Sequence, residues 1–383
     1  MKPVNLKKLN SDKCLVINIH DGYGHTQYDQ YEINELAKTA GFHIEETIDV
    51  KVISPNPSFY IGKGKVEEIK QLKNLFDFEF LIINEDISPA QEKKLTDALN
   101  LTVIDRTNLI LNIFSMRAKS YEGRLQVELA QLEYLSTRLV RGWTHLERQK
   151  GGIGVRGGPG EKQIELDRRM LRGRVKQLKD RLKKLTKQRD MQRQRRRKSG
   201  VFNVAIVGYT NAGKSTLFNE LTNQKIYAAD QLFATLDTTS RKLFIPPNFS
   251  LVISDTVGFI KNLPTNLIES FKSTLEESTN ADLLLHVVDS SNEEKKEHIL
   301  QVNRILKEIN ADQVDQILIL NQIDKNKTKP QKDRDEYGRI NRVELSAKTG
   351  QGIEFLKEAL VERTASFINQ EKIYYDENAQ QPI

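Results

Sequence analysis

The octapeptide GYTNAGKS at residues 208–215 constrains the fold of this chain more than any other stretch. It has the spacing G-x-x-x-x-G-K-[ST], it follows the apolar run VFNVAIVG, and a segment with helical patterning comes after it. Two glycines at these positions let the backbone curve closely around an anion, so that its N–H groups point at phosphate oxygens. The octapeptide therefore predicts a phosphate-binding loop (P-loop) that joins a buried strand to a helix.

Strands and helices alternate along residues 201–366. The runs LVISDTVG, DLLLHVVD and QILILNQID lack polar alternation, which is typical of strands buried on both faces of a parallel sheet. The amphipathic segment NEEKKEHILQVNRILKEI separates two of them. This pattern predicts an α/β fold for residues 201–366, a P-loop domain with a doubly wound, mostly parallel sheet.

Residues 1–118 show a second, smaller alternation. CLVINIH and FLIINED read as buried strands, and SPAQEKKLTDALN reads as a short amphipathic helix that starts at Ser88 and Pro89. We expect a small α/β domain here. The stretch IGKGK at residues 61–65 lacks the spacing of a phosphate-binding loop, so a tight turn is the better interpretation.

Two apolar seams follow, one on each side of a glycine-rich stretch. A seam here is a row of apolar residues along one helix face. In the first seam, from Leu125 onward, apolar residues recur every three or four positions, and in the second, from Ile164 onward, they follow heptad spacing. Such seams are satisfied when two helices pack on each other, so residues 119–192 are predicted to form a long antiparallel helical hairpin. Residues 151–160 would be its tip, because Pro159 and the glycines argue against one continuous helix.

Positive charge is concentrated in one part of the chain. The net charge is +7, whereas residues 161–199 alone carry 17 Lys and Arg against 5 Asp and Glu, a net +12. A basic arm on an acidic body indicates a polyanionic partner, and we favour nucleic acid over a merely solvated helix face. The arm ends in RQRRRKSG, so residues 193–200 read as a basic linker. Residues 367–383 read as a short polar C-terminal tail.

The composition limits the compartment. The single cysteine, Cys14, excludes a disulfide within the chain and fits a reducing cytoplasm. We find no run of about 18 apolar residues, so we expect no membrane span. The first residues do not resemble a signal peptide either. We therefore expect a cytoplasmic protein that works as a monomer.

Hydroxyl groups at two places are suited to a magnesium ion. Within the octapeptide, Lys214 would reach the β- and γ-phosphates and the Ser215 hydroxyl would ligate Mg²⁺. The segment FATLDTT, residues 233–239, lies where a mobile loop would supply a threonine to the same ion. We prefer Thr235, and residues 238 and 239, both threonines, stay open as alternatives.

The motif DTVG at residues 255–258 ends a buried strand. Asp255 can hold the hydration shell of Mg²⁺, and the Gly258 N–H can contact a γ-phosphate. The next residue is Phe259, at a position where many GTPases place a glutamine that orients water. No catalytic residue is therefore assigned, and we expect slow intrinsic hydrolysis that a partner stimulates. Asn211 could also ligate K⁺, although a turn role is an equal alternative.

Base recognition is predicted at NQID, residues 321–324. A carboxylate at Asp324 accepts hydrogen bonds from N1–H and N2–H₂ of guanine, and adenine lacks this donor pair. The motif SAK at residues 346–348 follows the next strand and can support the base. Gln322 stands where the common NKxD pattern has lysine, so weaker nucleotide affinity is expected with guanine preference retained.

Five motifs in this order predict a GTP-binding domain. We expect GTP or GDP to be bound by their residues, namely Gly208, Tyr209, Thr210, Asn211, Ala212, Gly213, Lys214, Ser215, Phe233, Ala234, Thr235, Leu236, Asp237, Asp255, Thr256, Val257, Gly258, Asn321, Gln322, Ile323, Asp324, Ser346, Ala347 and Lys348.

The chain resembles the HflX family of ribosome-associated GTPases. The resemblance rests on DRTNLILNIF, EGRLQVELAQLEYL, GGIGVRGGPGEKQIELDRR, GYTNAGKSTLFN, FATLDTTSR and DTVGFI, which together extend over nearly the whole chain. It implies binding to the large ribosomal subunit, splitting or rescue of stalled and idle ribosomes under stress, and, in related members, protection from antibiotics. It also implies that the hairpin tip contacts rRNA, with the candidates Gly152, Arg156, Gly157, Gly158 and Pro159.

Two other functions remain as alternatives. One is an RNA-binding ribosome-assembly factor in which GTP turnover is incidental. The other is an RNA-remodelling NTPase that also uses ATP through the N-terminal domain, where IGKGK is the only support.

Overall fold

The computed structural model describes residues 12–21, 26–149, 159–198, 200–223, 232–246, 249–261 and 272–379. The chain divides into two compact units, Met1–Arg181 and Leu182–Ile383, and the division falls inside a long helix. None of the described helices is long and apolar enough to cross a membrane.

The first unit is built on a parallel sheet with strand order β2-β1-β3-β4. Its described strands are β1 (Asp12–His20), β2 (Phe42–Lys51), β3 (Phe80–Ile83) and β4 (Thr102–Ile104). Its first four helices are α1 (Thr26–Thr39), α2 (Lys63–Leu75), α3 (Pro89–Leu99) and α4 (Arg106–Arg117). All four residues of β3 are buried, because helices cover both faces of a parallel sheet.

Local sequence signals set the helix starts in this unit. Ser88 caps α3 through a capping box with Gln91, and Pro89 occupies the first turn. Asp105 caps α4, its carboxylate accepting a hydrogen bond from the Asn108 N–H at 2.9 Å. The expected α/β character of residues 1–118 is therefore present, and IGKGK spans the beginning of α2.

Two long helices follow, α5 (Tyr121–Gln149) and α6 (Pro159–Lys198). Arg174 of α6 bonds Glu128 of α5 at 2.6 Å, and Lys179 bonds Glu133 at 2.7 Å, so the helices lie side by side there. The α6 residue Leu178 is fully buried, in agreement with the predicted seam.

The first half of α5 buries residues outside the predicted apolar seam as well as residues of the seam itself. Leu125, Val127 and Leu129 are all buried, because α5 packs against α3 and α4 of the same unit. Arg138 of α5 also forms ion pairs with Asp105 and Glu92. The start of the predicted hairpin is therefore part of the core of the first unit, which seam spacing alone does not indicate.

The helix α6 continues to Lys198, so residues 193–198 are helical where a linker was expected. Neither Gly nor Pro occurs between residues 174 and 198, and Arg, Gln and Lys favour helix. The helix has ended at Gly200, whose φ is +60°.

The second unit contains a sheet of order β10-β11-β9-β8-β5-β7-β6. Its strands are β5 (Phe202–Gly208), β6 (Thr239–Ile245), β7 (Phe249–Asp255), β8 (Leu283–Asp289), β9 (Gln316–Asn321), β10 (Gln331–Arg334) and β11 (Ile340–Glu344). Its described helices, besides the end of α6, are α7 (Lys214–Thr222), α8 (Lys272–Thr279), α9 (Lys295–Glu308), α10 (Ile323–Asn326) and α11 (Ile353–Ala379).

The centre of this sheet is parallel, and antiparallel strands lie at both edges. The strand β5 pairs with β7 and β8 in parallel, whereas β6 pairs antiparallel with β7, and β10 pairs antiparallel with β11. The predicted doubly wound, mostly parallel fold is confirmed. The edge strand β6 was not predicted, because its outward residues are exposed and its hydrophobic alternation is weak.

The last helix, α11, runs through the predicted junction between residues 366 and 367. Residues 353–379 include no Gly or Pro, so nothing in the sequence stops the helix where a separate tail was expected.

Candidate nucleotide-binding site

The octapeptide 208–215 lies at the carboxyl end of β5 and leads directly into α7. Gly208 has φ +148°, and a Cβ there would collide with the main-chain oxygen of Val287. Gly213 has φ +87°, and a Cβ would collide with the amide of Asn321. Because both glycines combine positive φ with a close neighbour, no other residue fits this loop without displacement.

Four of the predicted motifs surround one cavity of about 350 Å³, and SAK contributes its last two residues. The cavity is lined by Thr210, Asn211, Gly213, Lys214, Ser215, Thr216, Phe233, Ala234, Thr235, Thr256, Gly258, Asn321, Gln322, Asp324, Lys325, Ala347 and Lys348. Thr216 and Lys325 were not predicted, although each is adjacent in sequence to a predicted residue.

Nine predicted residues do not line the cavity. They are Gly208, Tyr209, Ala212, Leu236, Asp237, Asp255, Val257, Ile323 and Ser346. Burial explains several of them, since Tyr209, Leu236 and Ile323 are packed inside the unit. Position within a motif therefore does not establish that a side chain faces the ligand.

Lys214 is buried beneath the P-loop. Its ammonium donates to the main-chain oxygens of Gly208 at 3.0 Å and Tyr209 at 2.7 Å. Burial lowers the pKa of Lys214 to about 8, although the nearby Asp255 carboxylate acts in the opposite direction. The loop thus holds a lysine close to where the P-loop amides would meet phosphate.

The hydroxyls of Ser215 and Thr235 and the carboxylate of Asp255 form one hydrogen-bonded group near Lys214. Ser215 Oγ lies 2.8 Å from Thr235 Oγ1, and both donate to Asp255 Oδ2, at 2.7 and 2.9 Å. The second oxygen, Asp255 Oδ1, is buried without a hydrogen-bond partner. Burial raises the pKa of Asp255. Of the three candidate threonines, Thr235 is the one with a side chain in this group, whereas Thr239 starts β6 and pairs in register with Asp255.

Gly258 lies against the phosphate loop. A Cβ on Gly258 would be 2.8 Å from Thr210 Cγ2 and 2.9 Å from the Lys214 ammonium. Thr256 is fixed nearby, because its hydroxyl donates to the Ile206 oxygen at 2.6 Å. The DTVG segment is therefore held within contact distance of the lysine.

Phe259 does not face the cavity. Its side chain is 1% exposed and packs with Val207, Leu275, Val302 and Leu306 on one face of the sheet. A phenylalanine at this position therefore contributes to the hydrophobic core, and its side chain cannot orient a water molecule.

Two amide side chains bond the end of β9 to the phosphate loop. Asn321 donates to the Ala212 oxygen at 2.9 Å and accepts from the Ala347 N–H at 2.9 Å. Gln322 has φ +67° and donates to the Asn211 oxygen at 3.0 Å. These bonds hold the ends of β9, the P-loop and the SAK segment together.

The Asp324 carboxylate is oriented by a buried hydroxyl. Ser346 Oγ donates to Asp324 Oδ1 at 2.6 Å, and the Thr349 N–H donates to Ser346 Oγ at 3.2 Å. Ser346 thus orients the Asp324 carboxylate from inside the protein, which explains why Ser346 itself does not line the cavity. Asp324 is the one carboxylate among the described residues that line the cavity.

The predicted tip candidates Gly152, Arg156, Gly157 and Gly158 lie outside the described residues. Pro159 is the first residue of α6. The predicted rRNA contacts of this segment stay predictions.

Known proteins match the chain along most of its length. Three family models match, described as GTP-binding GTPase N-terminal over residues 27–115, GTP-binding GTPase Middle Region over 117–196, and 50S ribosome-binding GTPase over 203–322. A crystal structure of a complex of SsGBP and GDP has a TM-score of 0.51 at 24% identity, and the match covers 92% of this chain and 99% of that chain. This last similarity concerns the fold.

The sequence relatives are more similar. GTPase HflX of Escherichia coli strain K12 is 47% identical over 360 residues, which are 94% of this chain and 84% of the relative. GTPase HflX of Magnetococcus marinus is 45% identical over 323 residues, 84% of this chain and 74% of the relative. Identity at this level over most of both chains shows that this protein belongs to the HflX family of GTPases.

Proposed function

We propose that this GTPase binds GTP with Mg²⁺ in the cavity at 208–215, binds the large ribosomal subunit, and splits or rescues stalled and idle ribosomes. The observation that carries the nucleotide part is that Lys214 and Asp324 both line one cavity of about 350 Å³. A cation suited to phosphates and a carboxylate suited to guanine thus face one space of nucleotide size.

Guanine is the base that fits Asp324. Asp324, oriented by Ser346, offers two acceptor oxygens, which match the N1–H and N2–H₂ donors of guanine. Adenine would leave this carboxylate without donors in a partly desolvated site, which is costly. Lys325 and Lys348 also line the cavity.

The oxygen ligands near Lys214 fit Mg²⁺. Hydroxyl and carboxylate oxygens are the donors that Mg²⁺ prefers, and Ser215, Thr235 and Asp255 bring them within hydrogen-bond distance of each other. The buried, unpartnered Asp255 Oδ1 is the kind of atom that a metal-bound water would satisfy. Mg²⁺ held by the Ser215 and Thr235 hydroxyls would neutralise charge on the β- and γ-phosphates.

Hydrolysis in the isolated protein should be slow. Phe259 is buried in the core, so the residue after DTVG cannot orient the attacking water. A partner that supplies or arranges the missing group would then accelerate turnover, as charge-stabilising groups supplied in trans do in other GTPases. We infer that the ribosome is this partner. Asn211, which has φ +62° and lines the cavity, is the candidate ligand for K⁺ in this step.

The ribosomal part rests on the family and on charge. The model matched by residues 203–322 is described as a 50S ribosome-binding GTPase. Along the described side chains of α6, Arg169, Arg172, Lys176 and Lys183 are exposed, so a basic surface is available to phosphates of rRNA. We propose that residues 151–160, which follow α5 and include the first two residues of α6, form the probe that enters the ribosome.

Sedimentation with ribosomes tests the proposal. Wild-type protein is mixed with intact ribosomes under GTP, GDP or a non-hydrolysable GTP analogue, and free subunits are measured. Splitting is expected under GTP and the analogue, and not under GDP. Intact ribosomes in all three conditions would contradict the splitting function, and equal GTP turnover with and without large subunits would contradict stimulation.

The two variants Lys214→Ala and a deletion of residues 152–159 separate the parts of the proposal. Lys214→Ala is expected to abolish splitting, whereas an assembly factor with incidental turnover would keep its RNA-linked activity. The deletion is expected to spare GTP binding and impair splitting. Splitting by the deletion variant at the wild-type level would contradict the proposal that residues 151–160 act as a probe in the ribosome.

Among the described residues of the first unit, an asparagine occupies the place where a second nucleotide would be expected. Ligands of doubly wound sheets bind where strand order reverses, here between β1 and β3. Asn84 fills this position, since it donates to Asn18 at 2.8 Å and to the Ile19 oxygen at 3.0 Å and accepts from the Ile19 N–H at 2.7 Å. We therefore do not assign ATP use to this unit.

A further inference from the structure

The side chain of the P-loop tyrosine is stacked on a histidine and lies away from the cavity. The rings of Tyr209 and His298 have centroids 3.8 Å apart and planes within 1° of each other. Both residues are buried, at 3% and 5% exposure. Tyr209 belongs to the phosphate loop, and His298 belongs to α9, so the stack joins the loop to a helix on the face of the sheet.

The tyrosine hydroxyl reaches the segment that follows DTVG. The Lys261 N–H donates to Tyr209 Oη at 2.6 Å. Two main-chain bonds precede it, from the Phe259 N–H to the Gly208 oxygen at 3.1 Å and from the Thr210 N–H to the Phe259 oxygen at 2.7 Å. Residues 259–261 therefore run beside the phosphate loop like a short added strand, and the tyrosine makes its last bond.

One face of α9 packs against both Tyr209 of the phosphate loop and Phe259 of the added strand. Val302, one turn after His298, packs with Phe259 in one hydrophobic cluster, together with Leu306. His298 supports the tyrosine ring, and Val302 supports the phenylalanine that lies beside it in the added strand. A single rigid helix thus fixes the phosphate loop and residues 259–261 relative to each other.

We propose that His298 and Tyr209 are positioning residues that hold residues 259–261, and through them the Gly258 N–H, at the place of the terminal phosphate of GTP. This inference rests on the proposed GTP site. Gly258 is the residue before Phe259, and a Cβ added to it would lie 2.9 Å from the Lys214 ammonium and 2.8 Å from Thr210 Cγ2. Losing a hydrogen bond of residues 259–261 would therefore displace the Gly258 N–H, which contacts the terminal phosphate that GTP has and GDP lacks.

The chemistry of the stack suggests a conservative replacement. Burial lowers the pKa of His298 to about 4, so its ring is neutral at pH 7 and acts as a flat aromatic surface. A neutral phenyl ring can provide the same kind of face. His298→Phe should therefore keep the function, whereas His298→Ala removes the surface and Tyr209→Phe removes the acceptor of the Lys261 N–H.

Because GDP lacks the γ-phosphate, it does not need the Gly258 N–H in place. The loss of one neutral hydrogen bond corresponds to about a fivefold change in an equilibrium constant. We therefore expect Tyr209→Phe and His298→Ala to weaken binding of a non-hydrolysable GTP analogue by about fivefold and to lower kcat by at least as much. The affinity for GDP should stay within about twofold, since neither variant removes a side chain that lines the cavity.

The experiment measures fluorescent GDP and GTP-analogue binding, together with kcat and KM for GTP, in the full chain at pH 7. The variants are Tyr209→Phe, His298→Ala and His298→Phe, with Tyr337→Phe as the control, because Tyr337 is 75% exposed in the same unit. The expected result is a loss confined to the GTP analogue and kcat in the first two variants, with wild-type values in His298→Phe and in the control.

Three results would overturn the inference. The first is unchanged affinity for both nucleotides in Tyr209→Phe and His298→Ala. The second is an equal loss of affinity for both nucleotides, and the third is a kcat of His298→Phe below the wild-type value; either of these would indicate a merely structural role. Wild-type protein that binds neither guanine nucleotide would instead refute the proposed GTP site itself, so the two failures can be told apart.

Discussion

The side-chain amide of Gln322 donates a hydrogen bond to the main-chain oxygen of Asn211, 3.0 Å away. The adjacent Asn321 makes the parallel bond to Ala212 at 2.9 Å. Two neighbouring residues at the end of β9 thus hold two neighbouring residues of the phosphate loop. Gln322 stands where the common NKxD pattern has lysine, and its neutral amide makes this connection.

We expect Gln322→Ala to weaken GDP and GTP binding by about fivefold each, because one neutral hydrogen bond to the phosphate loop is lost. Gln322→Lys should restore at least wild-type affinity, since it keeps a donor and adds an aliphatic stem that can cover the base. Fluorescent nucleotide titration measures both variants. Unchanged affinity in Gln322→Ala would show that the bond to Asn211 contributes nothing to binding.

We expect Asp324→Asn to lower guanine nucleotide affinity by at least a factor of about 100, because two charge-assisted hydrogen bonds are replaced by one neutral bond and a donor clash. The same variant should gain affinity for xanthine nucleotides, whose carbonyl at position 2 accepts from the new amide. Competition between GTP and XTP measures the change. The matched control is Asp312→Asn, an exposed aspartate of the same unit, and a loss of GTP binding there would invalidate the comparison.

We expect Gly208→Ala to lower the apparent Tm by about 10 °C, because strain and a clash with the Val287 oxygen cost about 3 kcal/mol. Gly64→Ala is the matched control, since it lies in α2 and a Cβ there meets nothing within 4 Å. The control should melt at the wild-type temperature or slightly higher. Thermal unfolding followed by circular dichroism compares them, and equal Tm values for both variants would contradict the close packing of β5 on β8.

We expect part of the stability to be lost as the pH falls from about 6.5 towards 4. Burial, with the charge of Lys214, lowers the pKa of His286 to about 4, below the value of about 6.5 in an unfolded chain. Folding therefore requires the neutral ring, so its contribution is complete above pH 6.5 and declines by about 2 kcal/mol by pH 5. Urea unfolding at pH 7 and pH 5 tests this. His286→Leu should lose correspondingly less stability between the two pH values, and an identical loss in both proteins would contradict the assignment.

Much of the site follows from sequence because its residues are close together along the chain. The glycine and lysine spacing of 208–215 predicts the loop, since φ and the reach of a side chain are local properties. The strand before it and the helix after it follow from hydrophobic periodicity. DTVG and NQID likewise end apolar strands, and parallel strands bring their carboxyl ends to one edge.

Other features depend on partners that are distant in sequence. Thr235 could be separated from residues 238 and 239 only when Ser215 and Asp255 were seen beside it. The inward direction of Phe259 depends on α9, which follows much later. The edge strand β6 exists because β7 offers it hydrogen bonds, and its own sequence shows little alternation.

The sequence by itself determined the phosphate loop, the parallel core of the second unit, the carboxylate that lines the cavity and the basic character of α6, because each depends on local spacing or on charge. Only the tertiary structure decided that Tyr209 stacks on His298, that Gln322 holds Asn211, and that the start of α5 belongs to the first core. The physical reason is that side-chain packing and hydrogen bonds between distant segments depend on where the whole backbone places them.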